Sequence, residues 1–108
     1  MEIPAMRKQT RKTNIPLAVK KAVWERDRGR CIICGSTAAA PVAHVIPRSH
    51  GGLGVEENIV TLCARCHRDY DQTDKRDLYR VAIEDYLLTC YPDWKEKILT
   101  YRKDDEKC

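Results

Sequence analysis

Residues 31–67 read CIICGSTAAAPVAHVIPRSHGGLGVEENIVTLCARCH, and the two Cys-x2-Cys pairs that bracket this stretch decide how the rest of the chain is read. Cys31 and Cys34 form one pair, Cys63 and Cys66 the other. Each such turn supplies two thiolates from one knuckle, and two knuckles complete the four-sulfur tetrahedron that Zn²⁺ takes in structural sites. The 28 residues between the pairs exceed the usual ribbon spacing, so they form a structured excursion that leaves the metal and returns. Val42-Ala43-His44-Val45-Ile46, between Pro41 and Pro47, suits a short strand, and Pro47 stops ladder pairing. Arg48 to Glu57, with Gly51, Gly52 and Gly54, reads as a compact loop. Asn58 to Leu62 is the returning strand, and the second knuckle opens a helix through His67 to about Asp71. A pair of disulfides is the other reading of the four cysteines. The absence of a secretion-like stretch favours metal.

Outward from this centre, the chain has 108 residues, enough for one domain. It has no Phe and a third of its residues are charged, so its core is thin. Metal binding worth ~10–16 kcal/mol, which is folding energy when the empty site is unformed, offsets that deficit. No apolar run approaches the ~18 residues of a membrane span. Met1 to Pro16 carries Arg7, Lys8, Arg11 and Lys12 with no apolar stretch behind them, unlike a signal peptide, and a cytoplasmic setting is expected. Residues 1–30 hold nine Lys/Arg against three acids, whereas residues 31–108 hold eleven against thirteen. A basic front on a nearly neutral body points to a polyanion partner. Residues 1–13 read as a basic, mobile arm, and a merely solvated arm is the plainer alternative.

Pro16 opens a helix closed by Gly29, with Val19, Ala22 and Val23 inward and Trp24 beside them. Lys20, Lys21, Arg26 and Arg28 then fall largely on its outer side, followed by Arg30. Residues 75–103 read as two helical pieces broken at Pro92. Leu78, Val81, Ala82 and Leu88 supply one face; Trp94, Ile98, Leu99 and Tyr101 supply another. Trp24 and Trp94 are expected as core anchors, Cys90 as a buried small hydrophobe, and Cys108 as an exposed thiol. The expected domain therefore runs from 14 to 108.

The excursion carries His44, His50 and Asn58, and His67 directly follows the last cysteine. Neighbouring helical residues point ~100° apart, so with Cys66 on the metal His67 faces elsewhere, toward the hairpin. Asp71 shares its face four residues on. One strand thus offers His44, one helix offers His67 and Asp71, and the basic front brings phosphate. Metal-assisted phosphodiester hydrolysis needs that set: an imidazole that takes a proton from water, and a cation that polarises the phosphate. An imidazole with the reference pKa of ~6.5 is mostly neutral at pH 7.

The run Cys31-x2-Cys34, Ala43-His44-Val45-Ile46-Pro47-Arg48-Ser49, Gly51-Gly52, Asn58 to Leu62, Cys63-x2-Cys66-His67 resembles the HNH endonucleases of the ββα-metal class. More narrowly, it is similar to the small phage and bacterial branch with a four-cysteine zinc. The resemblance covers about residues 24–71. It implies an α+β fold: a ββα-metal (His-Me finger) core stapled by a four-cysteine zinc site, with an N-terminal helix and C-terminal helices around it. It implies His44 as general base, Asn58 as the residue that orients the hairpin or the base, and His67 as ligand of a catalytic Mg²⁺ or Mn²⁺. Asp71 falls where some members carry a further ligand. The implied reaction is DNA hydrolysis leaving 5′-phosphate and 3′-hydroxyl ends, with Arg48, Lys20, Lys21, Arg26, Arg28 and Arg30 as candidate DNA contacts. Most members have Asp, Glu or His immediately before the general base; this chain has Ala43, which cannot bind metal.

Other readings stay open at this stage. His50 competes with His44 for the base role, Asn58 is also a common turn residue, and His67 could simply pack beside the zinc. Ala43 motivates a nucleic-acid-binding module that cuts little or not at all. The C-terminal helices motivate a third reading, an interaction protein that docks another factor such as a phage packaging enzyme.

Overall fold

The computed structural model describes residues 12–94. Residues 1–11 of the mobile arm expected over 1–13, the Ile98, Leu99 and Tyr101 face and Cys108 lie outside the described residues. Within them the order is helix α1 (Leu17–Arg26), strand β1 (Ala39–His44), 3-10 turns at Arg48–His50 and Glu56–Asn58, strand β2 (Ile59–Cys63), helix α2 (Ala64–Gln72) and helix α3 (Arg76–Cys90). The ββα unit of β1, β2 and α2 is present in an α+β fold, and the sheet among the described residues is two-stranded and antiparallel. None of the described helices is long and apolar enough to cross a membrane.

The strand register explains how a proline fits inside β1. Ala39 pairs with Cys63 and Ala40 with Leu62, then Ala43 with Val60 and His44 with Ile59. Two residues, Pro41 and Val42, therefore oppose Thr61 alone, which is a bulge. Proline lacks the N–H that a regular ladder would use, and the bulge asks for none there. β1 thus begins at Ala39, three residues earlier than the run from Val42 suggests, because the alanines extend the pairing toward Cys63. The bulge also resets the alternation, so that Ala43 is fully buried while His44 is only partly covered.

All five residues of β2 are buried, since α1 packs on the sheet and α2 on β2, with α3 against α2. The core gathers Val45, Val60, Leu62, Tyr70, Ile83, Leu87 and the zinc-type cysteines Cys31, Cys63 and Cys66. The α3 face differs from the aliphatic stripe read from the sequence. Leu78, Val81 and Leu88 are 74%, 60% and 44% exposed, and Ile83 and Leu87 face inward with half-buried Tyr79 and Tyr86. The tyrosines outcompete the leucines because each lays a large apolar ring on the core and carries its hydroxyl to a partner. Tyr79 donates to Asp69 and Tyr86 to Asp27.

Two further expectations are corrected. Trp24 is 40% exposed and lies over the turn after α1, where a Cβ on Gly29 would sit 2.8 Å from its ring. It covers a turn and anchors no core, whereas Trp94 packs against the core and donates its indole N–H to the Glu57 carbonyl at 2.7 Å. Arg26 does not face outward. Its guanidinium donates to both carboxylate oxygens of Asp27 (2.7 and 3.0 Å), to the Glu56 carbonyl and to the Ile59 carbonyl, both at 2.7 Å. It also lies over the rings of Tyr86 and Tyr91. Asp27 in turn accepts the Thr61 N–H at 2.9 Å. Arg26 is therefore a strut joining α1, the loop and β2, engaged with protein and removed from the DNA-contact set. Finally, Thr13 belongs with the body: it is 2% exposed, and the neighbouring Lys12 carbonyl accepts the Gly54 N–H at 2.9 Å.

Candidate active site and metal centre

The two knuckles come together as their spacing requires. One sulfur each from Cys31, Cys34, Cys63 and Cys66 lies within 4.8 Å of the others, and Cys34 and Cys63 approach to 3.6 Å. Metal–sulfur bonds of ~2.3 Å in a tetrahedron put sulfurs roughly 3.8 Å apart, so the cluster can hold a metal ion such as zinc. The first knuckle closes when Gly35, at φ +78°, returns its N–H to the Cys31 carbonyl at 2.9 Å. The second sits at the start of α2, where the Cys63 sulfur accepts the Cys66 N–H at 3.4 Å. Burial works to raise the Cys31 thiol, but backbone N–H groups at Cys34, Cys63 and Ile33 bring it down to about 7. Burial and the neighbouring thiols push Cys66 up to about 12. A bound cation would remove this asymmetry, since coordination deprotonates a thiol outright. Cys90 is half-buried on α3 and takes no part in the cluster.

His44 ends β1, where the sheet gives way to the loop. Its Nε2 is 2.8 Å from the Thr13 carbonyl oxygen. A carbonyl can only accept, so Nε2 carries the proton and Nδ1 keeps the lone pair. Burial lowers the His44 pKa below its ordinary 6.5; the Thr13 carbonyl opposes this, and the charges of Arg48 and His67 lower it further. The ring is thus neutral at pH 7. No residue pattern announces the Thr13 tether, because the acceptor is a main-chain atom.

His67 and Asp71 occupy one face of α2, with His67 Nε2 3.0 Å from Asp71 Oδ2 and both side chains partly exposed. His44 senses the charge of both. Asn58 is fully buried, and it touches the segment after His44 instead of the imidazole. Its Oδ1 accepts the Ile46 N–H at 2.9 Å, and its Nδ2 donates to the carbonyls of Leu53 at 2.9 Å and Ile46 at 3.3 Å. Its own carbonyl accepts the Val45 N–H at 2.8 Å. Gly52 completes the clasp, because a Cβ there would meet the Ile46 carbonyl oxygen at 1.7 Å.

Two open clefts meet at His44 and Arg48. One, of about 440 Å³, is lined by Asn14, Ile15, Lys20 and Val42 as well. The other, of about 390 Å³, adds Ser49, His50, Asp71 and Arg76. Arg48 donates to the Asn14 side chain. Lys20 thus reaches the cleft, whereas Lys21, Arg28 and Arg30 are exposed but line neither of these clefts. His50 is exposed on the loop and shares the second cleft with His44. Ala43 is fully buried in the core cluster, so position 43 supplies neither a ligand nor an opening.

Parts of the chain match known proteins and a family model. Sixty residues are 37% identical to the type IV methyl-directed restriction enzyme EcoKMcrA of Escherichia coli (strain K12), covering 47% of this chain and 22% of that protein. The chain therefore corresponds to about a fifth of that enzyme's length. Sixty-three residues are 33% identical to Anaredoxin of Nostoc sp. strain PCC 7120, covering 56% of this chain and 83% of that protein. The family model described as HNH endonuclease matches residues 31–73, a span that opens on Cys31 and closes just past α2, and on these grounds the chain belongs to the HNH endonuclease family.

Proposed function

We propose that this protein is a divalent-metal-dependent DNA endonuclease with His44 as its general base. The observation that carries the reading is the Thr13 contact, which fixes the Nε2–H tautomer and leaves a neutral imidazole with its lone pair on Nδ1. A general base needs that state at neutral pH. The matched nuclease family, and the restriction enzyme among the relatives, favour DNA as the polyanion.

In this mechanism His44 accepts a proton from water at Nδ1, the water oxygen attacks phosphorus, and the bond to the 3′ oxygen breaks. That oxygen takes a proton from bulk water while His44 returns its own to solvent. The products carry 5′-phosphate and 3′-hydroxyl ends. His67 and Asp71 would hold the catalytic cation. Their nitrogen and oxygen donors are adjacent and open to solvent, which fits an ion such as Mg²⁺ or Mn²⁺ that keeps several waters. Bound there, the cation would supply positive charge to the phosphate and the leaving oxygen. Asn58 is a positioning residue that clasps the strand exit two residues beyond His44. Lys20 and Arg48 line the cleft as phosphate contacts, with Lys21, Arg28 and Arg30 as exposed charges at longer range. The four cysteines hold a structural zinc that pins the hairpin to α2; a closed thiolate shell leaves no position for substrate.

Purified protein incubated with supercoiled plasmid and Mg²⁺ or Mn²⁺ should nick or linearise it, and His44→Ala should not. Equal cleavage by the variant would refute the assignment. Ala43 supports one second reading, a zinc-stabilised module that binds nucleic acid without cutting: the position before the base offers a buried methyl where the family usually places a ligand. Salt-sensitive binding by wild type, with no metal-dependent product, would select that reading.

A further inference from the structure

We propose that Arg76, on α3, is a phosphate-binding residue that grips the DNA backbone beside the scissile bond. The proposal rests on the nuclease reading for the identity of the polyanion.

Arg76 lies outside the stretch 31–73 that the family model matches, and it lines the same cleft as His44, Arg48, His50 and Asp71. Its guanidinium carbon sits 5.1 Å from the centre of the Tyr70 ring, a cation–π arrangement that holds the charged group in place. Tyr70 is itself immobilised. It is fully buried, and its hydroxyl donates to the Val45 carbonyl at 2.6 Å, one residue beyond His44. One rigid ring therefore links the arginine to the end of β1, and the guanidinium is placed relative to the imidazole without depending on a loop.

The polar valences of this group are what make the cleft informative. Arg26 directs its donors to Asp27 and two carbonyls, Arg80 donates to Glu84, and Arg48 donates to Asn14. Among the described residues, Arg76 has no carboxylate within ion-pair distance. The carboxylate in the cleft lining, Asp71, is paired with His67. A planar cation stacked on a ring keeps its edge N–H groups available, and that fork matches two non-bridging oxygens of a phosphate. The cleft volume of about 390 Å³ equals roughly a dozen waters at ~30 Å³ each, room for a hydrated sugar-phosphate segment.

The test measures duplex DNA binding by fluorescence anisotropy over a salt series, without added divalent metal, for wild type, Arg76→Gln and Arg76→Lys. Loss of one phosphate contact should reduce the slope of log affinity against log salt by about 0.9 in Arg76→Gln. Arg76→Lys keeps the charge and should restore the slope while binding more weakly than wild type. A thermal melt of each variant separates misfolding from lost contact. An unaltered slope in a folded Arg76→Gln protein would overturn the proposal. In cleavage assays a contact to a flanking phosphate should raise KM and spare kcat; a fall in kcat at constant KM would overturn the flanking assignment. A protein that shows the Arg76-dependent slope but never cuts DNA would sink the nuclease reading and leave this one standing.

Discussion

Replacing Asn58 by alanine should loosen the strand exit that carries His44. Asn58 has no solvent exposure and makes three side-chain hydrogen bonds, to the Ile46 N–H, the Ile46 carbonyl and the Leu53 carbonyl. Ile46 is 5% exposed, so its N–H would find no water once Oδ1 is gone. An unsatisfied buried donor costs about 1–3 kcal/mol, and each lost neutral bond about 1 kcal/mol. Asn58→Ala should therefore destabilise the protein by roughly 3–4 kcal/mol, against a total of about 5–15 kcal/mol for an ordinary domain. At about 4–8 °C per kcal/mol, the melting midpoint should drop by more than roughly 10 °C. Urea unfolding gives the free energy directly, with zinc content checked first so that metal loss is not mistaken for the effect. Asn58→Asp supplies an internal control. The new carboxylate still accepts from the Ile46 N–H, but it faces two carbonyl oxygens and favours its protonated form. Its folded pKa is then raised above ~3.9, so this variant should recover stability as pH falls through that raised value. A folded Asn58→Ala protein within about 1 kcal/mol of wild type would refute the clasp, since even one lost buried bond costs that much.

Other measurements probe the remaining parts. Cys31→Ser or Cys66→Ser should lose bound zinc by metal analysis and most of the far-UV signal, whereas Cys90→Ser should keep its metal content. Gly52→Ala places a Cβ 1.7 Å from the Ile46 oxygen and should prevent folding at that turn; Gly35→Ala meets nothing within 4 Å and should cost only the ~1–2 kcal/mol of a left-handed residue, both read by urea unfolding. His44 has a depressed folded pKa, so cleavage should fall in acid with a midpoint below 6.5. Below pH 6.5 the unfolded chain takes up this proton before the folded one does, so stability should also decline as pH falls toward the folded pKa, and should be fully present above pH 6.5. A cleavage midpoint above 6.5 would contradict the neutral, partly buried ring.

The four-cysteine cluster and the ββα order were legible in the sequence because paired knuckles and strand patterns leave their spacing in the chain. Cys-x2-Cys turns and the β-branched run at 59–61 admit few other arrangements. Arg26 was misread for a physical reason: a basic residue on a short helix ordinarily faces water, and nothing local reveals that Tyr86 and Tyr91 cover it. The α3 face was misread because aliphatic periodicity undervalues tyrosine, which can bury a ring and still satisfy its hydroxyl. Arg76 escaped notice since its partner Tyr70 lies across a turn between two helices, a relation set by packing. The start of β1 was missed because alanine carries little strand signal, and the ladder to Cys63 and Leu62 decides it instead.

The acceptor that orients His44 is a peptide oxygen contributed from 31 residues upstream. Every amino acid has such an atom, so a mutational scan that exchanges side chains would pass over it without registering a role. Trimming the front of the polypeptide, or displacing it with a bulky fusion placed just ahead of Asn14, would free the imidazole to rotate or to swap its proton between nitrogens.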